Sequence, residues 1–310
     1  MNKDFQLKFT HSNSINRIKW DEVLLKMPNS LPYAASWYLD AVTNDSWDAL
    51  IADDYSFIMP LPSKKKAGIK YLPTPLFIQQ LGIFGLSPCT ESICEKFIRQ
   101  IVANYKFIEF NFNHFNLVTE KPEYSLKERC NMLLKLPVER SLISSNYSDN
   151  TKRNIQKSEK HNLRFGTTSI RSIINLFKDN KESSLQNWKV ENYNVLERLY
   201  NMSALRGYGK AYGMYHPDGQ LLCGAFFMEW NSRAIFLFSG NSELGMQTGA
   251  MSALIDNYIR ECPSKIDTLD FEGSDNQGLK RFYQSFGANE ANYVHLKLNR
   301  LPFFLRWLKK

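Results

Sequence analysis

Two α/β halves of the α+β kind, each a mixed and mostly antiparallel sheet flanked by helices, are what this sequence predicts, on three observations. The chain has 310 residues, enough for roughly two domains of about 100 to 200 residues each. Hydrophobic residues make up 43% and aromatics 14%, so a packed core is expected and disorder is not. Segments with the two-residue period of strands alternate with segments of helical period, and the same order runs twice.

In the first half, "WDALIADDYSFIMPLP" and "IKYLPTPLFIQQLGIFG" read as strands, "TESICEKFIRQIVANY" as a helix, then "KFIEFNFN" and "RCNMLLKLP" as strands. In the second, "AYGMYHPDGQLLCGAFFMEWN" reads as a hairpin turned at Pro217, Asp218 and Gly219, and "RAIFLFSGN" as the next strand. The helix "QTGAMSALIDNYIRE", the strand "KIDTLDFEGS", a short helix and the strand "NYVHLKLN" follow. After "KFIEFNFN" the first half continues through "HFNLVTEKPEYS", with no counterpart of that short helix. A chemical site at this position therefore belongs to the second half alone. The expected boundary divides the chain into 1–138 and 139–310.

Several classes of function start at a disadvantage. The amino terminus "MNKDFQLKFTHSNS" lacks the apolar stretch of a secretory signal, and no apolar run approaches about 18 residues, so a cytoplasmic protein is expected. Cys89, Cys94, Cys130, Cys223 and Cys262 are odd in number and widely spaced, as buried free thiols would be. The five histidines show no metal-ligand spacing, and there is no Walker loop or G-x-S-x-G elbow, so no metal is expected. A formal charge of +8 suits phosphate-bearing partners without choosing among nucleotide, nucleic acid and anionic membrane.

Between the halves lies "SLISSNYSDNTKRNIQKSEKHNLRF", where Ser148 or Asp149 can cap a helix. Arg153, Lys157, Lys160 and Arg164 recur every three to four residues and line one side. They read either as a solvated basic face or as a phosphate-gripping wall at the junction.

The stretch "LDFEGSDNQGLKRFYQSFGA", residues 269 to 288, carries the most chemistry. Leu269 and Phe271 alternate with Thr268, Asp270 and Glu272, which predicts two carboxylates on one strand face. Ser274 with Gln277 fits a capping box for the short helix. Leu279, Phe282, Tyr283 and Phe286 form a stripe at helical spacing that Gly287 ends, and periodicity alone puts Tyr283 in a core.

A strand, a loop with Asn276, then Phe282, Tyr283, Phe286 and Gly287 as F-Y-x-x-F-G resembles the last motif of the GNAT acyltransferase superfamily. The resemblance implies that Tyr283 lies near the acyl donor's sulfur and protonates the departing thiolate. The duplicated halves, the basic helix, and the pieces "PYAASWYLDAV", "PLFIQQLGIFG" and "LDFEGS" resemble more narrowly the FemAB-like branch, with two tandem GNAT-like domains. Its studied members attach amino acids from aminoacyl-tRNA to the peptide of a peptidoglycan precursor. Several of them carry lysine where this chain has Tyr283, which is the choice of CoA-dependent GNAT enzymes. The donor thus stays open between acyl-CoA and aminoacyl-tRNA, each a co-substrate, with no permanently bound cofactor.

Under this resemblance three roles need residues. Glu272 or Asp270 is the candidate base; the alternative is that Asp270 bonds loop backbone and Glu272 pairs with Lys280 or Arg281. Backbone groups around Phe238, Ser239 and Gly240 would hold the donor arm. Gly245, Gln247 and Gly249, before a helix start, would hold its phosphates, although glycine also serves ordinary turns. For an amine acceptor, with or without a phosphate, a groove between the domains would use Trp37, Gln79, Gln80, Lys152, Arg153 and Arg206. Gln79 and Gln80 are adjacent in an otherwise apolar strand, so one of them must find buried partners or face a cleft. Arg206 reads as part of a loop over the acceptor or as a helix end.

The chain closes "NRLPFFLRWLKK", where Phe303, Phe304, Trp307 and Leu308 mix with Arg300, Arg306, Lys309 and Lys310. Residues 300–310 read as a helix docked on the protein or as one resting at the inner membrane surface, beside a cell-envelope precursor. Against the acyltransferase stand a non-catalytic phosphate-binding module on a duplicated fold and a nucleic-acid binder, tRNA included.

Overall fold

The structure is a computed structural model that describes residues 5–53, 55–66, 68–181, 188–273 and 276–303. The chain forms two compact units, Met1–Arg129 with Asn292–Lys310, and Cys130–Ala291. In chain order the first holds β1 (Leu7–Thr10), α1 (Arg17–Lys26), α2 (Ser36–Thr43), β2 (Asp48–Ala52), β3 (Phe57–Leu61), β4 (Lys64–Lys66), β5 (Ile69–Pro73), β6 (Phe84–Gly85), α3 (Glu91–Asn104), β7 (Phe107–Asn111) and β8 (Ser125–Arg129). The second holds β9 (Met132–Lys135), α4 (Asp149–Lys160), β10 (Arg164–Thr167), α5 (Ile170–Lys181), α6 (Val190–Leu205), β11 (Gly209–Tyr215), β12 (Leu221–Trp230) and β13 (Arg233–Asn241). It continues with α7 (Glu243–Gln247), α8 (Ala250–Glu261), β14 (Thr268–Asp270), α9 (Gln277–Gln284) and β15 (Asn289–Glu290), before β16 (Tyr293–Asn299) rejoins the first unit.

The units differ from a cut at residue 138, because two strands belong elsewhere than their sequence neighbours suggest. β9, which ends the first run of elements, enters the second unit between β14 and β15. β16, which ends the second run, lies between β7 and β8 of the first. Both pairings are antiparallel and far apart in sequence, and alternation along a strand says which face is buried but not which strand lies alongside.

The second unit is one seven-stranded sheet in the order β10-β11-β12-β13-β14-β9-β15. Every pair is antiparallel except β13–β14. A parallel pair needs a crossover, and here α7 and α8 supply it. Eight of the twelve residues of α8 are buried, and it packs on β11 and β12. The hairpin falls where Pro217, Asp218 and Gly219 put it: Gly219 has φ +94° and the His216 N–H donates to the Gln220 carbonyl. α5 lies on β12 and β13. Its close approach explains two strand glycines, since a Cβ on Gly224 or Gly240 would strike Ile173.

The first unit departs from a single sheet. It has a four-stranded antiparallel sheet β1-β2-β3-β6 and a five-stranded one, β4-β5-β7-β16-β8, in which β5–β7 is parallel. The stretch expected as one strand through "PLFIQQLGIFG" is irregular between β5 and β6 apart from one bridge, Leu81 to Phe112. Pro73 and Pro75 remove two ladder donors there. The Asn29, Asn113 and Asn116 amides replace the ladder, all three donating to the Ile83 carbonyl at 2.9, 3.1 and 2.9 Å. Cys89, Cys94, Cys223 and Cys262 are buried and Cys130 half-buried, all as free thiols.

Candidate active site

β13 and β14 begin side by side and then part. Their parallel register runs Arg233 to Thr268, Ala234 to Leu269 and Ile235 to Asp270, and ends there. Two local events open the gap. On β13 the pairing with β12 passes from Phe226–Phe238 to Phe227–Phe236, so Leu237 is an extra residue that bends the strand. On β14 the strand stops at Asp270, and Glu272 takes the left-handed backbone at φ +56°.

That turn changes the expected acidic face. Asp270 is wholly buried and bonds Arg233 Nη1 through Oδ2 at 2.9 Å, while Oδ1 accepts the Glu272 N–H at 2.9 Å. Asn131 Nδ2 adds a longer donor at 3.4 Å. Burial pushes the Asp270 carboxyl above its ordinary range, and the Arg233 charge draws it back. Its oxygens are committed to holding the turn, which is the alternative role that the sequence left open for it. Glu272 is half-buried, and its backbone carbonyl accepts the Met132 N–H. Of the two cations expected for it, Lys280 and Arg281, the first pairs instead with Glu290 at 2.7 Å.

α9 brings Tyr283 to the place where the strands part. The capping residue is Asn276, whose Oδ1 accepts the Gly278 and Leu279 N–H groups at 2.8 and 3.2 Å. Ser274, the expected cap, lies outside the described residues. The helix is thus eight residues long with Tyr283 next to last, and Gly287 at φ +89° follows its end. The Tyr283 ring stacks on Phe271 with centroids 4.7 Å apart and planes at 12°, and meets Phe236 edge-on at 6.5 Å. Phe271 and Phe236 are the first residues beyond the paired register of their two strands. The ring therefore belongs to the core, as periodicity predicted, and 8% of the residue remains accessible. No described residue hydrogen-bonds its hydroxyl. Burial and the nearby Glu272 charge push the phenol up to about 12, so it holds its proton at neutral pH.

Of the expected donor-arm residues, Phe238 is buried, packed on Phe177 at 4.8 Å, and Ser239 is half-exposed. Gly240 carries the α5 crossing already described. Gly245 and Gly249 answer to close backbone approaches: a Cβ on Gly245 would meet the Leu222 carbonyl, and one on Gly249 the Asn154 carbonyl of α4. Gly249, at φ +73°, also precedes α8. Gln247 is exposed at the end of α7.

The expected acceptor residues fall in separate units. Trp37, buried in α2, and Gln79 and Gln80 belong to the first. Gln80 is fully buried, accepting the His114 N–H at 3.0 Å and donating to Gln79 Oε1 at 2.8 Å, so inward-facing partners account for it. Lys152, Arg153 and Arg206 belong to the second unit, and all three are exposed. Ser148 caps α4 as expected, and Arg153, Lys157 and Lys160 are exposed, which fits the solvated face, but α4 ends at Lys160 and Arg164 opens β10, donating to the Pro217 carbonyl at 2.6 Å. Arg206 caps α6 and donates to the Met202 carbonyl at 2.9 Å, the helix-end reading. Of the tail, 304–310 lie outside the described residues. No helix among the described residues is long and apolar enough to cross a membrane. Sequence reasoning missed Arg233 and Asn131, the partners of Asp270, because Arg233 opens a strand 37 residues before it and Asn131 precedes β9, 139 residues before it.

No family model matches the sequence, and no curated protein does. Solved structures do match. FemX aligns over 98% of this chain and 100% of its own, with TM-score 0.66 and 10% identity. A tandem GNAT protein from the clavulanic acid biosynthesis pathway aligns over 96% and 99%, with TM-score 0.53 and 11% identity. L-PGS from Bacillus licheniformis aligns over 87% and 90%, with TM-score 0.52 and 9% identity. The chain therefore has the tandem GNAT-like fold of the FemAB-like kind.

Proposed function

We propose that this chain is an acyltransferase that moves an acyl or aminoacyl group from an acyl-CoA or an aminoacyl-tRNA to an amine, with a cell-envelope precursor among the acceptors. The observation that carries the reading is the parting of β13 and β14 beyond Ile235 and Asp270, with Tyr283 beside it. In the proposed step the amine nitrogen attacks the donor carbonyl carbon, the C–N bond forms and the C–S or C–O bond breaks. Glu272 takes the ammonium proton, and the Tyr283 hydroxyl gives its proton to the departing sulfur or oxygen before solvent restores it. Burial keeps the phenol protonated at neutral pH, so its proton is available as the C–O or C–S bond breaks, and general acids of this kind contribute about 10² to 10⁴ in rate. Asp270 acts through Glu272 by fixing its backbone. Main-chain groups of β13 on the side that β14 leaves open are where an extended donor arm would bond.

A donor that binds only the folded chain raises its melting temperature. The expected result is a saturable rise with one donor class, acyl-CoA or aminoacyl-tRNA, and no rise with the uncharged tRNA or with free acid. Absence of a rise with either class would turn the reading to a non-catalytic binding module.

A further inference from the structure

We infer that the first unit carries an anion site for a soluble diphosphate, built by the β4–β5 hairpin and the end of α2. This inference stands on the first unit alone and does not depend on the acyl-transfer reading. A cavity of about 390 Å³ is lined there by Thr43 at the end of α2, by Ser46 beyond it, by Ser63, and by Lys64, Lys65 and Lys70 of the hairpin, with Tyr71 at its side. Three lysines and four hydroxyl-bearing residues thus line one space of small-ligand size, within the range of about 300 to 1,000 Å³ common for such sites.

The charge arrangement is what asks for a ligand. β4 and β5 are antiparallel, with Lys65 directly opposite Lys70. Like charges placed across a strand pair destabilise it. Among the described residues, no carboxylate pairs with Lys64, Lys65 or Lys70. The nearby acid is Asp48, and it is engaged: its Oδ2 accepts the Ser63 hydroxyl at 3.2 Å, and its Oδ1 takes the Ser12 N–H at 3.3 Å and meets His11 Nδ1 at 3.4 Å. Lys70 lies over the Phe9 ring at 5.9 Å, which softens its charge without neutralising it. Charge-assisted bonds to phosphate oxygens would neutralise the lysines that no described carboxylate meets. A nucleoside would want stacking surface, and Tyr71 is the one ring in the lining. The ammonium donors fit the phosphates themselves, whereas the Ser63 and Thr43 hydroxyls already donate to Asp48 and to the Leu39 carbonyl.

Isothermal titration of the full chain with inorganic pyrophosphate tests this. The proposal expects saturable binding that the Lys65→Gln/Lys70→Gln variant weakens by at least about tenfold, the loss of one charge-assisted hydrogen bond or more. A Lys26→Gln/Lys106→Gln variant removes the same charge from exposed positions outside the cavity and should bind as the parent does. The hairpin variant should also melt no lower than the parent without ligand, since it removes a repulsion, and this keeps the result independent of a folding defect. Equal weakening in both variants would overturn the site in favour of general charge. Silence toward pyrophosphate would overturn the proposal too, even if vesicles of phosphatidylcholine with phosphatidate bound the chain.

Discussion

Replacing Arg233 by methionine leaves Asp270 in the second unit's core without a compensating charge, held only by the Glu272 N–H and Asn131. The Asp270 side chain is fully buried and that of Arg233 is 16% exposed, so water can do little to replace the lost cation. Breaking such a pair from one side typically costs about 3–5 kcal/mol. A pair of unit charges about 4 Å apart interacts by about 4 kcal/mol at the effective dielectric suited to partly buried sites, which agrees. The deficit has a pH signature. The unfolded carboxyl titrates near 3.8, and burial already lifts the folded group above that value. Without Arg233 it rises further. When a folded pKa lies above the unfolded one, stability is fullest below the unfolded value and falls as pH rises through the folded value. Urea unfolding at about pH 7 and about pH 4 should therefore show a large Arg233→Met deficit that shrinks on acidification. The double variant Arg233→Met/Asp270→Leu should recover much of the loss at neutral pH, because matched apolar groups often replace a buried pair at little cost. An Arg233→Met chain as stable as the parent, or a deficit that grows toward acid, would refute the reasoning.

Gly249→Ala should destabilise the second unit by at least about 1–3 kcal/mol, because φ is +73° and the new Cβ would collide with the Asn154 carbonyl oxygen. Equilibrium urea unfolding reads it, and a neutral outcome would mean that α4 and α8 do not cross this closely. His295 should titrate near 4 by NMR, since burial first, and then the charges of Arg129, Lys297 and Lys127, pull its imidazole down to about 4. Its folded value lies below the unfolded 6.5, so the stability it lends is present above 6.5 and is lost as pH falls toward 4. An imidazole titrating at its ordinary value would place the ring in solvent.

The parts of the fold legible in the sequence were those that local chemistry decides. The β11–β12 hairpin follows from Pro217, Asp218 and Gly219, α3 from a Thr90 cap, which Ile93 N–H satisfies, and its buried stripe Cys94, Phe97, Ile98 and Ile101. The exchange of β9 and β16 was not legible, because antiparallel partners more than a hundred residues away leave no mark on either strand's own pattern. Around the candidate site, the motif singled out Tyr283, while the alternation that paired Glu272 with Asp270 does not carry through Glu272. One left-handed residue after Asp270 ends the two-residue period, and Glu272 is not a residue type that announces such a turn. Gln79 and Gln80 were rightly suspected of needing partners, but those partners are His114 and a neighbouring amide. The glycines before α8 drew attention as phosphate ligands, and close backbone approaches also require glycine at both.

Tyr283→Phe keeps the ring that stacks on Phe271 and removes only the hydroxyl that the proposed step uses. Single-turnover transfer by this variant, with the donor class that stabilises the parent, is the most direct test of the account. The expected result is an unchanged melting temperature and donor affinity with a rate reduced by about 10² to 10⁴. Transfer at the parental rate would contradict it and return Tyr283 to the core alone.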